Sequence, residues 1–113
     1  MMIKTKNPVT FNSGVRGSTT DYVYGRIKSA TWMDDFNSVG VNHEYMDSNM
    51  NVFHMNGTTV SGDTIDNMYE SVKPSLPTDQ PHREVERTKF YLGFAIEMAL
   101  AFDVDLSEIE IVL

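Results

Sequence analysis

The 113-residue chain contains no cysteine. Disulfides, thiolate zinc sites and cysteine nucleophiles are therefore excluded. No apolar run reaches the roughly 18–20 residues that a membrane-spanning helix needs, so we expect a soluble protein with no membrane partner. Residues 1–4 are followed by polar residues rather than by an apolar stretch, which predicts that there is no secretory signal.

Sequence motifs that mark an enzyme are also missing. The chain has neither a glycine-rich phosphate-binding loop nor the G-x-S-x-G motif of a nucleophile elbow. Asp34 and Asp35 are adjacent in a predicted turn, whereas acid–base catalysis needs two carboxylates in different environments of one cleft. We therefore predict a protein that is not an enzyme and that uses no cofactor and no small-molecule substrate.

The composition nevertheless indicates a folded protein. Hydrophobic residues make up 41% of the chain and aromatic residues 11%, which is more than disordered segments contain. A chain of this length is expected to form one domain with a modest hydrophobic core.

The net charge of −7 is distributed unevenly along the chain. Residues 1–30 carry five basic side chains and one acidic side chain, a net charge of +4, whereas residues 31–113 have a net charge of −11. No lysine or arginine occurs between residues 31 and 72. This asymmetry is typical of a basic segment that contacts an acidic partner, and another copy of this chain would supply such a partner.

Residues 1–20 are rich in glycine, serine, threonine and asparagine and show no sustained periodicity. They predict an extended N-terminal arm, with a disordered terminus as the alternative, followed by a single domain over residues 21–113. The spaced apolar and basic residues of this arm are candidate interface residues: Ile3, Lys4, Lys6, Val9, Phe11, Val15 and Arg16.

Alternating and β-branched residues predict strands in the middle of the chain. The predicted strands cover residues 22–33, 38–46 and 50–55, with a terminal strand at 106–113. Thr58–Val60 either extends the third strand or starts a short edge strand. The short turns between consecutive strands indicate an antiparallel sheet of three to four strands.

Two helices are predicted after these strands. The first begins after an N-cap at Ser61 or Asp63, places apolar residues at helical spacing and ends at Pro74. Residues 84–102 predict a second, longer helix, with a strand over 88–94 as the alternative. The fold class is therefore α+β, with one short and one longer helix packed on the sheet.

The longer helix is apolar on nearly all sides from Phe90 onward. So small a domain does not easily cover such a helix, which indicates a neighbouring subunit. Tyr91, Phe94 and Met98 are the candidate interface residues of this helix.

Two histidines could form a metal site. If the turn after the second strand centres on residues 48–49, His43 and His54 lie opposite each other on adjacent strands, and neutral imidazole is a common metal ligand. Glu44 lies on the other face of its strand, and a shift of one residue in register separates the pair. We therefore expect two half-buried strand histidines and no metal.

Nucleic-acid binding is a further alternative. Arg26 and Lys28 share a predicted strand face with Tyr22, Tyr24 and Trp32, an arrangement that resembles a stacking platform for single strands. The acidic body repels phosphate, however, and a pI of about 4.7 is opposite to that of typical nucleic-acid-binding proteins. We therefore predict that nucleic acid is not the partner.

The order of a polar N-terminal arm, the antiparallel run over residues 24–32 and the short helix over 64–74 resembles the small structural proteins of tailed-bacteriophage virions, which hold their neighbours through extended arms. Those proteins form the neck, tail tube, baseplate or head decoration. The resemblance implies a non-enzymatic assembly subunit, located in the virion, that docks through its N-terminal arm and its apolar helix onto copies of itself and onto other virion proteins. The alternative is an acidic binding or regulatory module that acts on a basic partner as an inhibitor or nucleic-acid mimic.

Overall fold

The computed structural model describes residues 1–14, 17–33 and 37–112 and shows an α+β fold. Its strands are β1 (Met2–Thr5), β2 (Val9–Asn12), β3 (Ser18–Asp21), β4 (Tyr24–Trp32), β5 (Ser38–Met46), β6 (Val52–Ser61) and β7 (Ile109–Val112). Its helices are α1 (Gly62–Val72) and α2 (His82–Phe102). Among the described residues, no helix is long and apolar enough to cross a membrane.

Five strands form one antiparallel sheet in the order β6-β5-β4-β1-β7, and β2 and β3 form a separate hairpin. The sheet is therefore larger than the three to four strands predicted. The difference arises because β1 lies in the segment that we expected to be an arm, and it pairs with β7 from the other end of the chain.

The prediction of an extended arm over residues 1–20 is therefore wrong. Ile3 lies opposite Gly25 on one side and Ile111 on the other, and its side chain is fully buried. The Thr5 hydroxyl accepts a hydrogen bond from the Val23 N–H at 3.1 Å, which secures the end of β1. Short strands of this kind show little periodicity, so only their tertiary pairing reveals them.

The hairpin of β2 and β3 also replaces part of the predicted arm. Phe11 on β2 is 8% exposed, and its ring stacks on Phe53 with a centroid separation of 4.4 Å. Ser13 closes the hairpin, because its hydroxyl donates to the Gly17 carbonyl at 3.1 Å. The candidate interface residues Val15 and Arg16 lie outside the described residues.

The meander of β4, β5 and β6 was predicted from the sequence and is confirmed. β5 has the predicted bounds, and Thr58–Val60 extends the third strand. A register shift in β4 between Ile27 and Ser29 reverses the faces of the sheet on which the following side chains lie. As a result Trp32 packs near Phe90 at 6.4 Å, and its indole N–H donates to Glu86 at 2.7 Å.

This bulge separates the residues of the predicted stacking platform. Arg26 pairs with Glu44 on the outer face of the sheet, where its Nε donates to Oε1 at 3.0 Å. Trp32 lies opposite the buried Val39, on the inner face. A bulge reverses the alternation of the residues that follow it. Counting every second residue along the whole strand therefore does not predict which side chains share a face.

The two helices cover the inner face of the sheet. α1 follows Ser61, one of the two predicted N-caps, although the Ser61 side chain makes no capping hydrogen bond. α2 is helical throughout, so the alternative of a strand over 88–94 is wrong. α2 ends where Asp103 adopts the left-handed conformation with φ 53°.

The apolar face of α2 is buried within this chain. Tyr91, Phe94 and Met98 are 4%, 0% and 0% exposed, so the expectation that they contact a neighbouring subunit is wrong. The sheet has more strands than we predicted, and it covers them. An ideal Cβ on Gly25 would lie 2.7 Å from the Phe94 ring, so only glycine allows this approach of helix and strand.

Two of the N-terminal cations are paired with acids of the same chain. Lys4 lies 3.7 Å from Glu110 and its ammonium sits 4.9 Å from the centre of the Tyr22 ring. Arg26 is paired with Glu44 as described above. The charge asymmetry of the sequence is therefore partly neutralised inside the fold.

The close approach at Gly25 predicts a strong effect of one added methyl group. Gly25→Ala is expected to lower the free energy of unfolding by about 1–3 kcal/mol, because the added methyl group would lie 2.7 Å from the fully buried Phe94 ring and one of the two must shift. Urea unfolding monitored by circular dichroism measures this change.

Gly57→Ala is the matched control, since Gly57 also lies in a strand. Its added Cβ meets the exposed Asn42 side-chain oxygen at 2.8 Å, and that side chain is able to rotate away. We expect a change of less than about 0.5 kcal/mol. Equal losses in the two variants would contradict this account of the core.

Candidate functional site

A cavity of about 410 Å³ opens between the β2–β3 hairpin, the inner face of β5 and β6, and the end of α2. We call it the aromatic cavity, because six of its twelve lining residues are aromatic or imidazole rings. The lining residues are Thr10, Phe11, Asn12, His43, Tyr45, Phe53, His54, Asn56, Glu97, Ala101, Phe102 and Asp103.

Strand alternation places His43 and Tyr45 in this cavity. Both follow Val39 and Val41 on the inner face of β5, as the alternation in the sequence predicts, and they are 1% and 2% exposed. His54 is exposed and not half-buried, whereas His43 is more deeply buried than we expected. The reason is that α2 crosses the sheet here, and Phe94 lies 4.6 Å from the His43 ring.

The predicted pairing of His43 with His54 is wrong. His54 lies opposite Tyr45, and His43 lies opposite Asn56. The connection between β5 and β6 covers residues 47–51 and is therefore longer than a two-residue turn. The Asp47 carboxylate stabilises it by accepting the N–H groups of Asn49 and Asn51. Among residues 1–14, 17–33 and 37–112, no three acidic or histidine side chains are placed to hold a metal ion.

Aromatic rings from distant parts of the chain form the walls. Tyr45 meets Phe102 edge to face with centroids 4.9 Å apart, and its ring is stacked 6.0 Å from His54. Phe53 lies 6.4 Å from Phe102. The sequence gives no signal for this grouping, since the rings come from β5, β6 and the last turn of α2.

Two buried polar atoms of the cavity residues have no hydrogen-bond partner among the described residues: His43 Nδ1 and the Tyr45 hydroxyl. Buried polar groups are nearly always hydrogen-bonded, and an unsatisfied one costs about 1–3 kcal/mol. Such groups are often found where a ligand completes the hydrogen bonds, so they mark this cavity as the candidate site.

The charged groups around the cavity are acidic. Glu97 accepts a hydrogen bond from the Thr58 hydroxyl at 3.1 Å, and Asp103 lies at the C-terminus of α2. No lysine or arginine is among the lining residues. The end of a helix carries partial negative charge, and the last turn of α2 has no basic residue to offset it.

Burial keeps both rings of β5 uncharged at neutral pH. Desolvation lowers the pKa of His43, while the backbone of Val41 and the charge of Glu97 oppose this shift. Desolvation, with the charge of Glu97, raises the pKa of the Tyr45 phenol. The cavity therefore presents a neutral imidazole, a protonated phenol and a carboxylate.

The interface residues predicted from the sequence do not form one surface. Ile3, Phe11, Tyr91, Phe94 and Met98 lie in the hydrophobic core, and only Phe11 among them lines the aromatic cavity.

The remaining predicted residues lie near the surface. Val9 is partly buried against the core and Lys4 is ion-paired. The Lys6 side chain is exposed, and its backbone N–H donates to the Glu108 carbonyl at 2.8 Å.

Comparison of the chain with protein-family models, with curated protein sequences and with solved structures gives no match.

The unpartnered hydroxyl predicts that Tyr45→Phe raises the free energy of unfolding, by about 1 kcal/mol, because it removes a buried polar atom and keeps the ring. Tyr91→Phe is the matched control. The Tyr91 hydroxyl donates to the Met1 carbonyl at 2.9 Å and accepts the Ile27 N–H at 3.3 Å. Its loss is expected to cost about 1–2 kcal/mol. A loss of stability in Tyr45→Phe, measured by urea unfolding, would contradict the assignment.

The lowered pKa of His43 predicts a pH dependence of stability. As the pH falls below 6.5, the ordinary pKa, the unfolded chain binds a proton here that the folded chain does not bind. The free energy of unfolding therefore decreases with falling pH through this window. Urea unfolding at about pH 7.5 and about pH 5.5 measures the decrease. We expect His43→Phe to reduce it and the exposed-site control His54→Gln to retain it.

Proposed function

We propose that the chain is a non-enzymatic structural subunit that assembles with further copies of itself through the outer edge of β6. One observation carries this proposal: β6 is a ten-residue edge strand with no charged residue and no proline.

The edge is long and accessible. Within the described residues β6 pairs only with β5, in unbroken register from Ser38↔Ser61 to Tyr45↔His54. Seven of the ten residues of β6 are exposed, and Met55 is 63% exposed. The outer side of the strand therefore presents backbone donors and acceptors to which a further strand is able to bind.

From His54 to Ser61, this edge lacks the features that protect the edge strands of monomeric proteins. Natural edge strands are usually short, or carry lysine, proline or a bulge that prevents pairing with another chain. The only irregularity of β6 lies near its start, beside Tyr45 and Met46. The uncharged edge is therefore suited to strand addition.

The opposite side of the sheet differs from β6 in the length of its strands and in its charge. β7 has four residues, and β1 covers β4 only at Gly25 and Tyr24. The part of β4 that extends beyond β1 carries Arg26 and Lys28. A head-to-tail contact between the two sides would leave most of β6 unpaired.

These lengths favour a two-fold contact in which β6 of one copy lies antiparallel to β6 of its partner. Both strands of this contact are β6, so their lengths match and the edge is paired along its length. The two five-stranded sheets then form one sheet of ten strands. It also covers the exposed Met55 and Val52 side chains near the edge. Such isologous contacts are the commonest basis of protein dimers.

The particle that we propose is a tailed-bacteriophage virion, with other virion proteins as further partners. This part rests on the resemblance of the antiparallel run over residues 24–32 and the short helix that comes later in the chain, since residues 1–20 contribute strands to the fold instead of an arm. An assembly subunit with an open edge agrees with it. Mass spectrometry of purified particles is the test, since peptides of this chain should be present in them.

The assembly is tested by light scattering after size-exclusion chromatography of the whole chain. We expect a dimer for the native chain and a monomer for Thr59→Lys, because a lysine on an exposed edge strand opposes the addition of a further strand. Circular dichroism checks that the variant is folded.

Asn67→Lys on α1 is the control, since it adds the same charge at an exposed polar position away from the edge. We expect it to remain dimeric. A monomeric native chain, or equal dissociation of the two lysine variants, would exclude assembly through β6.

A further inference from the structure

We propose that the aromatic cavity binds an organic cation that carries N–H groups, that is, a guanidinium or a protonated amine. The proposal is independent of assembly through β6, because the lining residues argue for it by themselves. Three features of the cavity agree on this chemistry: its acceptor atoms, its charge and its rings.

The acceptors come from three side chains on two elements. The Tyr45 hydroxyl and His43 Nδ1, both on β5, have no partner in the described part of the chain. The Glu97 carboxylate on α2 binds the Thr58 hydroxyl through Oε2, which leaves its other oxygen to accept further hydrogen bonds. The Glu97 carboxylate is able to accept directly from a ligand with several N–H groups, whereas the Tyr45 hydroxyl and His43 Nδ1 are closed to water and accept only after their side chains move toward the ligand. Hydrogen bonds from a cation to a carboxylate are the strong ones.

The charge of the cavity selects a cation over a neutral donor. Glu97 and Asp103 are the ionisable lining residues besides the tyrosine and the two histidines. The partial negative charge at the end of α2 adds to theirs. An anion would meet two carboxylates and no basic side chain.

The rings supply the rest of the contact. The faces of aromatic rings attract cations, with energies that increase when the cation is removed from water. A volume of about 410 Å³ exceeds that of one guanidinium group, so the carbon chain of the ligand is expected to lie along Phe53 and Phe102.

Butylguanidinium and butylurea are the probes, because they have similar shape and differ in charge. Titration into the isotopically labelled native chain should shift the NMR signals of His43, Tyr45 and Glu97 with butylguanidinium. Butylurea should bind at least roughly tenfold more weakly. Butylamine tests the protonated amine and should shift the same signals.

Variants separate a specific site from general attraction to an acidic protein. Glu97→Gln keeps the size of the side chain and should weaken butylguanidinium binding at least roughly tenfold. Glu70→Gln, at an exposed position of α1, removes the same charge and should leave binding unchanged. Tyr45→Phe should weaken binding although it makes the fold more stable.

The proposal is overturned if the two probes bind equally to the native chain, or if no signal of the cavity residues moves at millimolar concentrations. Equal losses in Glu97→Gln and Glu70→Gln would also overturn it, since they would indicate attraction by net charge alone. The comparison of the two probes needs no variant, so it decides the matter even if a substitution prevents folding.

Discussion

The approach of Phe94 to Gly25 is the contact on which the rest of the structure depends. It brings α2 against the middle of the sheet, where the ring lies beside Ile3 of β1 and His43 of β5. β1 is part of the sheet because its inner residues complete this contact from the other side. Since β1 also pairs with β7, one helix–sheet contact joins the two ends of the chain.

The same contact determines where the unusual polar groups lie. α2 buries the inner face of β5, so two residues that continue the alternation of Val39 and Val41 lose access to water. Tyr91 and Tyr45 show the two possible outcomes of such burial. The Tyr91 hydroxyl binds two backbone groups, whereas the Tyr45 hydroxyl binds none among the described residues. The first tyrosine stabilises the fold, whereas the second has a buried hydroxyl that is left without a hydrogen bond among the described residues.

The edge of β6 and the aromatic cavity are neighbouring features, because β6 contributes to both. Its inner side supplies His54 and Asn56 to the cavity, and its backbone forms the open edge. The absence of lysine and arginine between residues 31 and 72 has a consequence for each. It leaves the edge without protective charge, and it agrees with the lining of the cavity, where no lysine or arginine stands beside Glu97 and Asp103 among the described residues.

The sequence by itself determined the local elements: the meander, both helices and the bounds of β5 follow from periodicity and turn chemistry, which act over a few residues. Residues 1–20 were misjudged because a four-residue strand is recognised only by its partners, and those partners lie at Gly25 and Ile111. The cavity had one signal, the alternation that placed His43 and Tyr45 on one face. Only the tertiary structure decided that Glu97 and Phe102 face them, because contacts between distant segments depend on packing and leave no periodic pattern in the sequence.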